Sequence, residues 1–341
     1  MIKPKIGFYG NCQIAYISSI FRATTDITDN FEILLAKDYD LTTQGSSASV
    51  AHFQLGKNVV DGKAVRVNNY SKQGLKNFFN DADILIFQSL DNRTNPSEAQ
   101  TKNIIPNFKG ASICVPSWYF TAYFSVGGTG FAHLPFFYWL RQENFSQTEA
   151  EDFLRNKTIP NSNKLTEYLF QDCANGLKDR ERKQSELYNY ISTLRFIEDN
   201  YKRKLLGYNF HHPTETVYEY LCKEIFCKMN ETEPLFNFNQ SEAAGPDGQC
   251  WFPTDIQSFN HCFPNMENLG RYKDKFNSSN SKKTGKSFEA FCKRGMDIAD
   301  HHFKSGNFCN VSTKHLEIIN GNASVSQKSF GGSYLSAIRN H

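Results

Sequence analysis

Apolar residues fall along the first 115 positions in short blocks separated by amphipathic stretches, the order expected of strands alternating with helices. The run from Lys5 to Tyr9 predicts a strand. Ile14, Ile17, Ile20 and Phe21 share one stripe of the segment from Gln13 to Phe21 and predict a helix. Only Gly10, Asn11 and Cys12 separate the two, so the first connection is a tight strand-to-helix turn with Cys12 at or just before the helix start. Phe31 to Ala36 predicts a second strand, Thr42 to Ser49 a polar loop, and Ala64 to Asn68 a short third strand before a helix carrying Leu75, Phe78 and Phe79. Asp83 to Phe87 runs Ile-Leu-Ile-Phe without alternation, which suits a central parallel strand covered on both faces, and Ala111 to Val115 has the same character. The succession predicts an α/β fold, a three-layer sandwich around a mostly parallel sheet. Ligands of open α/β sheets collect at the carboxyl ends of the strands, where Cys12 and Gln88 both fall.

Further along, the chain from Trp118 to Trp139 is aromatic-rich and broken by Gly127, Gly128, Thr129 and Gly130. That glycine run lacks the lysine and the strand context of a phosphate-binding loop and reads as a turn. Thr148 to Leu154, Lys164 to Cys173 and Lys178 to Asn200 have helical patterns, the last with Leu187, Ile191 and Leu194 as its apolar stripe. Lys204 to Phe210 predicts a short strand, and Pro213 and Thr214 open a helix that buries Val217, Leu221, Ile225 and Phe226. His212 thus lies at a second strand-to-helix junction, and two such junctions in one parallel sheet can meet at its carboxyl edge. After Met229 the periodicity dissolves, apart from a helical pattern from Lys286 to Phe303. The predicted organisation is an α/β catalytic domain over residues 1–230 and an irregular C-terminal extension or small lobe, residues 231–341, packed on it.

Composition narrows the function classes. A chain of 341 residues buries a substantial core without staples, and an aromatic content of 14% excludes disorder throughout. With 38 Lys+Arg against 35 Asp+Glu, the net charge of +3 does not suggest a nucleic-acid binder. No stretch reaches 18 uncharged apolar residues and the opening residues lack a secretory pattern, so a cytoplasmic protein without an integral membrane segment is expected. The 9 cysteines are scattered, with no Cys-x-x-Cys pair. Cys222 and Cys227 are poorly spaced for one metal, and His261, Cys262, Cys292, His301, His302 and Cys309 would need an unusual fold to converge, so no metal is expected.

The chemistry concentrates at Cys12. A thiolate is a strong nucleophile, and a helix N-terminus favours its charged form. Backbone N–H groups around Cys12 and Gln13 would also suit an oxyanion. The competing reading is a buried cysteine closing the first turn, which Gly10 and the polar Asn11 and Gln13 make less attractive. His212 is the candidate base by position, with His211 as its rival and a packing or capping histidine as the bland reading of either. Gln88 ends the central strand with an amide suited to donate to an oxyanion, or is simply its polar end. Asp91 follows in the loop and would orient an imidazole.

The Gly10-Asn11-Cys12-Gln13 turn, the Ile84-Leu85-Ile86-Phe87-Gln88 strand, and the stretch from Glu198-Asp199-Asn200-Tyr201 to His212-Pro213-Thr214 together resemble the WcbI-type polysaccharide biosynthesis proteins, over roughly residues 1–230. That family resembles the SGNH/GDSL hydrolases in its α/β core and is taken to comprise coenzyme-A-binding acetyltransferases for bacterial capsule sugars. The resemblance implies a catalytic cysteine at Cys12 and histidine at His212, with Gln88 lining the pocket. Gly10, Asn11, Gln13 and His211 would border the cofactor. It implies coenzyme A or acetyl-CoA as donor and a sugar or glycan hydroxyl as acceptor. Lys202, Arg203 and Lys204 are candidate phosphate partners, although such a run is more often a solvated face. Two rivals remain: an ester or thioester hydrolase with the same Cys12 and His212, and a non-catalytic carbohydrate- or nucleotide-binding protein stacking its ligand on Trp118, Tyr119, Phe120 and Tyr123.

Overall fold

An apolar strand with no polar face needs cover above and below. The computed structural model describes residues 2–38, 51–55, 59–60, 63–64, 72–90, 99–118, 120, 122–123, 134–209, 212–238, 261–267, 292–293, 295–297, 299–300 and 316–321. In chain order the elements are β1 (Lys5–Gly10), α1 (Cys12–Ala23), α2 (Thr25–Asn30), β2 (Glu32–Asp38), β3 (Ala51–Leu55), β4 (Val59–Val60), β5 (Lys63–Ala64), α3 (Lys72–Asp81) and β6 (Ile84–Phe87). Then follow α4 (Thr101–Ile104), β7 (Ala111–Cys114), α5 (Leu134–Gln142), α6 (Gln147–Asn156), α7 (Ser162–Ser185), α8 (Leu194–Asn200), β8 (Gly207–Asn209), β9 (His212–Pro213) and α9 (Glu215–Met229). The chain divides into two compact units: Met1–Trp118 with Arg180–Thr193 and Val217–Ala244, and Tyr119–Asp179 with Leu194–Thr216 and Gly245–His341.

The first unit holds the sheet, in the order β3-β2-β1-β6-β7. β1 runs parallel to β2 and β6, and β6 parallel to β7, with Tyr9 opposite Phe87 and Phe87 opposite Cys114. Successive side chains of β1 point to opposite faces. Phe8 meets Phe21 of α1 with ring centroids 5.0 Å apart, whereas Tyr9 meets Phe79 of α3 at 5.1 Å. Helices therefore cover both faces, an α/β arrangement compatible with three layers. The unbroken apolar run of β6, with Leu85, Ile86 and Phe87 all fully buried, follows from that double cover. Behind α1, α9 contributes Tyr218 against Tyr16 and Phe226 against Phe21, and the returning chain adds Phe236 against Phe21.

Several expected elements differ. β3 was not foreseen; it pairs antiparallel with β2 at the sheet edge. The predicted strand from Ala64 to Asn68 is represented only by Lys63–Ala64, paired with Val59–Val60 away from the main sheet, and residues 65–71 lie outside the described residues. The predicted helix from Lys178 to Asn200 is two helices: α7 ends at Ser185 and α8 begins at Leu194. Between them Tyr190 bridges Cys114 in parallel, with the Cys114 N–H donating to Asn189 O at 2.8 Å and the Ile191 N–H to Cys114 O at 2.9 Å. The buried Glu181 carboxylate accepts from the Ser192 hydroxyl and the Thr193 N–H, both at 2.6 Å, and these strong bonds fix a non-helical path. Leu187, expected in an apolar stripe, is consequently exposed.

The second unit builds a core from distant segments. Phe137, Trp139 and Leu140 of α5 join Ala150 and Leu154 of α6, Leu165 and Leu169 of α7, and Cys292, Met296, Leu316, Ile318 and Ile319. Arg141 pairs with Asp300 at 2.8 Å, and Asn161 Nδ2 donates to Ile319 O at 3.1 Å. The described late stretches thus share the core of residues 137–169. A second cluster stacks Phe170 on Tyr201 at 3.7 Å; Phe120 stands edge-on to Phe170, Phe263 edge-on to Tyr201, and Tyr123 edge-on to both Phe120 and Phe263. β8 and β9 form a separate antiparallel hairpin, so the predicted strand before His212 is not a strand of the parallel sheet. Its chain ends are fixed locally instead, through the Thr214 N–H to Leu206 O at 2.9 Å and the Thr214 hydroxyl to Leu205 O at 2.8 Å.

Candidate functional site at the Cys12 turn

The turn after β1 has three requirements: close approach to the neighbouring strand, a helix cap, and an outward residue. Gly10 meets the first, since a Cβ there would fall 2.6 Å from Ile14 Cγ1 and 3.0 Å from Gln88 Oε1. Asn11 meets the second. Its backbone is extended, and its Oδ1 accepts from the Gln13 N–H at 2.8 Å, the bond by which an asparagine caps a helix. Cys12 is then the first residue of α1, exposed and not in a disulfide. Its sulfur sits at a helix start, where the helix dipole favours a thiolate. The Gln13 N–H, considered as an oxyanion donor, is the one the Asn11 cap occupies.

Two buried carboxamides brace this turn. Gln88 follows β6 and is 1% exposed; Gln13 is 5% exposed. Gln88 Nε2 donates to Gln13 Oε1 at 2.9 Å and to Pro116 O at 3.2 Å, and its Oε1 accepts from the Asn11 N–H at 3.3 Å. Gln13 Oε1 also accepts from the Trp118 N–H at 2.8 Å, while its Nε2 donates to Trp118 O at 3.3 Å. Both N–H bonds of Gln88 are therefore directed at the scaffold. The loops after β1, β6 and β7 are joined at the carboxyl end of the sheet. Arg180 of α7 adds a bond from Nη1 to Ser117 O at 3.3 Å. The participation of the Pro116–Trp118 backbone was not read from the sequence, because backbone acceptors leave no residue-type signal.

His212 opens β9 in the second unit, and its side chain lies outside what the structure describes. His211, Asp91, Tyr119 and the Gly127–Gly130 run lie outside the described residues altogether. Of the aromatics that the rival binding reading would stack on a ligand, Trp118, Phe120 and Tyr123 are all buried. Tyr123 directs its hydroxyl at Tyr201 O and Lys204 O, each at 2.7 Å, and burial holds its pKa well above the usual tyrosine value. In the basic run, Arg203 pairs with Glu267 at 2.7 Å and Lys202 lies 5.6 Å from the centre of the Tyr201 ring. Among the described residues no group of three or more His, Cys, Asp or Glu is arranged to hold a metal, and no helix is long and apolar enough to cross a membrane.

No protein-family model and no curated protein sequence matches the chain. Among solved structures, a DUF4886 family protein from Bacteroides uniformis is matched at 9% identity over 79% of this chain and 99% of that one, with a TM-score of 0.31. A second match, at 12% identity, covers 93% of this chain and 99% of the other with a TM-score of 0.59. That structure is of WcbI, described as a polysaccharide biosynthesis enzyme in a native form without a disulfide between CoA and one of its cysteines. The chain is a distant structural relative of WcbI.

Proposed function

We propose that this protein is a coenzyme-A-dependent O-acyltransferase that acetylates a hydroxyl of a sugar or polysaccharide precursor on an SGNH-hydrolase-like core, with Cys12 and His212 at its centre. The observation that carries the reading is the exposed Cys12 thiol at the start of a capped helix, at the carboxyl end of a parallel strand. The WcbI likeness supports it, since that protein is described in relation to CoA and to a cysteine. In the covalent route His212 takes the Cys12 proton and the thiolate attacks the thioester carbonyl, forming acyl-Cys12 and releasing the CoA thiolate, which takes up a proton. The sugar hydroxyl then attacks acyl-Cys12, losing its proton to the base as the Cys12 thiolate leaves. In the direct route His212 deprotonates the sugar hydroxyl, which attacks the acyl-CoA itself, and Cys12 shapes the site.

Kinetics of Cys12→Ala, Cys12→Ser and His212→Ala with acetyl-CoA and candidate sugars test the proposal. Covalent transfer predicts that Cys12→Ala abolishes turnover while donor affinity by calorimetry stays within about five-fold, because the loss belongs to the chemical step. Near-wild-type transfer by Cys12→Ala selects the direct route. Ester hydrolysis without CoA affinity selects the hydrolase, and absence of CoA binding at millimolar concentration rejects the transferase. Loss of activity in His211→Ala with His212→Ala unaffected moves the base to His211.

A further inference from the structure

We propose that Gln13 and Gln88 are a positioning pair that sets the reactivity of the Cys12 thiol. The inference rests on Cys12 as the reactive group and not on the identity of donor or acceptor. Each amide has its orientation forced. Turning Gln88 over would set its oxygen against Gln13 Oε1 and Pro116 O and its NH2 against the Asn11 N–H. Turning Gln13 over would face its NH2 with the Gln88 NH2 and the Trp118 N–H. Packing alone would be served by a methionine of similar size. Two interlocked amides in a buried site instead form a stiff, mutually polarised network.

The network closes around Cys12. Gln88 holds the residue before it by the backbone N–H, Asn11 holds the residue after it by the Gln13 N–H, and Gln13 ties that residue to the Trp118 backbone. Cys12 is the one exposed side chain of the four-residue turn, carried on a backbone clamped from both sides. The thiolate's stabilisation by the helix start falls off within the first turn, so its reactivity depends on this alignment.

The test is the rate of Cys12 alkylation by iodoacetamide from pH 6 to 9.5 in the full chain, resolved by peptide mass analysis, with the exposed Cys227 as internal control. Gln88→Glu preserves shape. When neutral, the new carboxyl accepts from the Asn11 N–H and donates one hydrogen bond. When ionised, it sets oxygen against Gln13 Oε1 and Pro116 O and places a negative charge behind the thiolate. Burial pushes its ionisation upward, so the deficit against wild type is expected to grow from about two-fold at pH 6 to about ten-fold or more at pH 9, with Cys227 unchanged. Gln13→Met and Gln88→Met are expected to slow Cys12 at every pH, and the double variant to be no slower than the worse single by more than about two-fold. A pH-independent ratio for Gln88→Glu, or multiplying deficits in the double variant, overturns the proposal. If the Gln88 variants do not fold, Gln13→Met decides. A folded protein with the wild-type alkylation profile rejects the pair, and a lower rate at every pH, or a midpoint displaced upward by about half a pH unit or more, with Cys227 unchanged, supports it.

Discussion

The sheet unit and the second unit bury comparable aromatic and aliphatic side chains by different routes. In the first, β1, α1, β2, α3 and β6 all lie within residues 5–87 and cover one another, with α9 and Phe236 returning over α1. In the second, Phe137, Leu154 and Leu165 share a core with Met296, Leu316 and Ile318, every one of them more than 130 positions further along the chain. Nearby cover leaves a periodic trace in each segment. Distant cover lets short, irregular pieces remain irregular and still be dry.

The strongest test of this contrast removes distant cover. Ile318→Ala is expected to destabilise by about 2–5 kcal/mol, the range for emptying a fully buried aliphatic site. Hydrogen exchange should then accelerate in α6 and the first part of α7, more than in β1 and β6; uniform acceleration would mean that the two units unfold as one. Ile86→Ala, of the same chemistry in the sheet, should give the opposite distribution.

A smaller effect is expected at Tyr123. Its phenol is held protonated in the native state by burial, while the unfolded chain ionises near pH 10. The folded pKa is raised, so its contribution is fully present below about pH 10 and is lost as pH rises beyond it. Tyr123→Phe should be less stable than wild type by about 1–2 kcal/mol at pH 7, from the lost hydrogen bond. Denaturation at pH 11 should narrow or reverse that gap. A gap of unchanged size would show that the phenol ionises in place.

The smallest expected effects separate two helix caps of like chemistry. Ser146 caps α6 in a reciprocal capping box with Glu149, and Asn11 caps α1. Alanine at either should cost about 1 kcal/mol in a denaturant midpoint. Only Asn11→Ala should also change the alkylation rate of Cys12; equal rates in both variants would detach the cap from the thiol.

Much of the sheet unit was legible in the sequence. β1, α1, β2, β6 and β7 lie where the apolar blocks predict them, and Cys12 and Gln88 do fall at the carboxyl ends of neighbouring parallel strands. β3 escaped notice although Ala51, Phe53 and Leu55 alternate with His52 and Gln54, the period-two signal of a half-buried strand; the segment is only five residues long and follows the polar stretch from Thr42 to Ser49. The break between α7 and α8 escaped because Leu187, Ile191 and Leu194 fit a helical stripe, while the deciding bonds come from Glu181 and the backbone of Cys114. At the site, residue types pointed to Cys12 but not to the work of its neighbours. Gln13 and Gln88 look like polar ends of elements until their partners are seen.

The bridge at Tyr190 bears on how this protein behaves at high concentration. An uncovered edge strand offers a row of donors and acceptors on which another chain can continue the sheet. At the end of β7 the Cys114 N–H and carbonyl are both engaged by residues 189–191, a segment returned from the far end of α7. A second molecule approaching that edge to extend it would have to displace Asn189 and Ile191 first. This short piece of chain therefore serves as a guard against strand-to-strand aggregation at the carboxyl end of β7, beside the loops that carry the thiol.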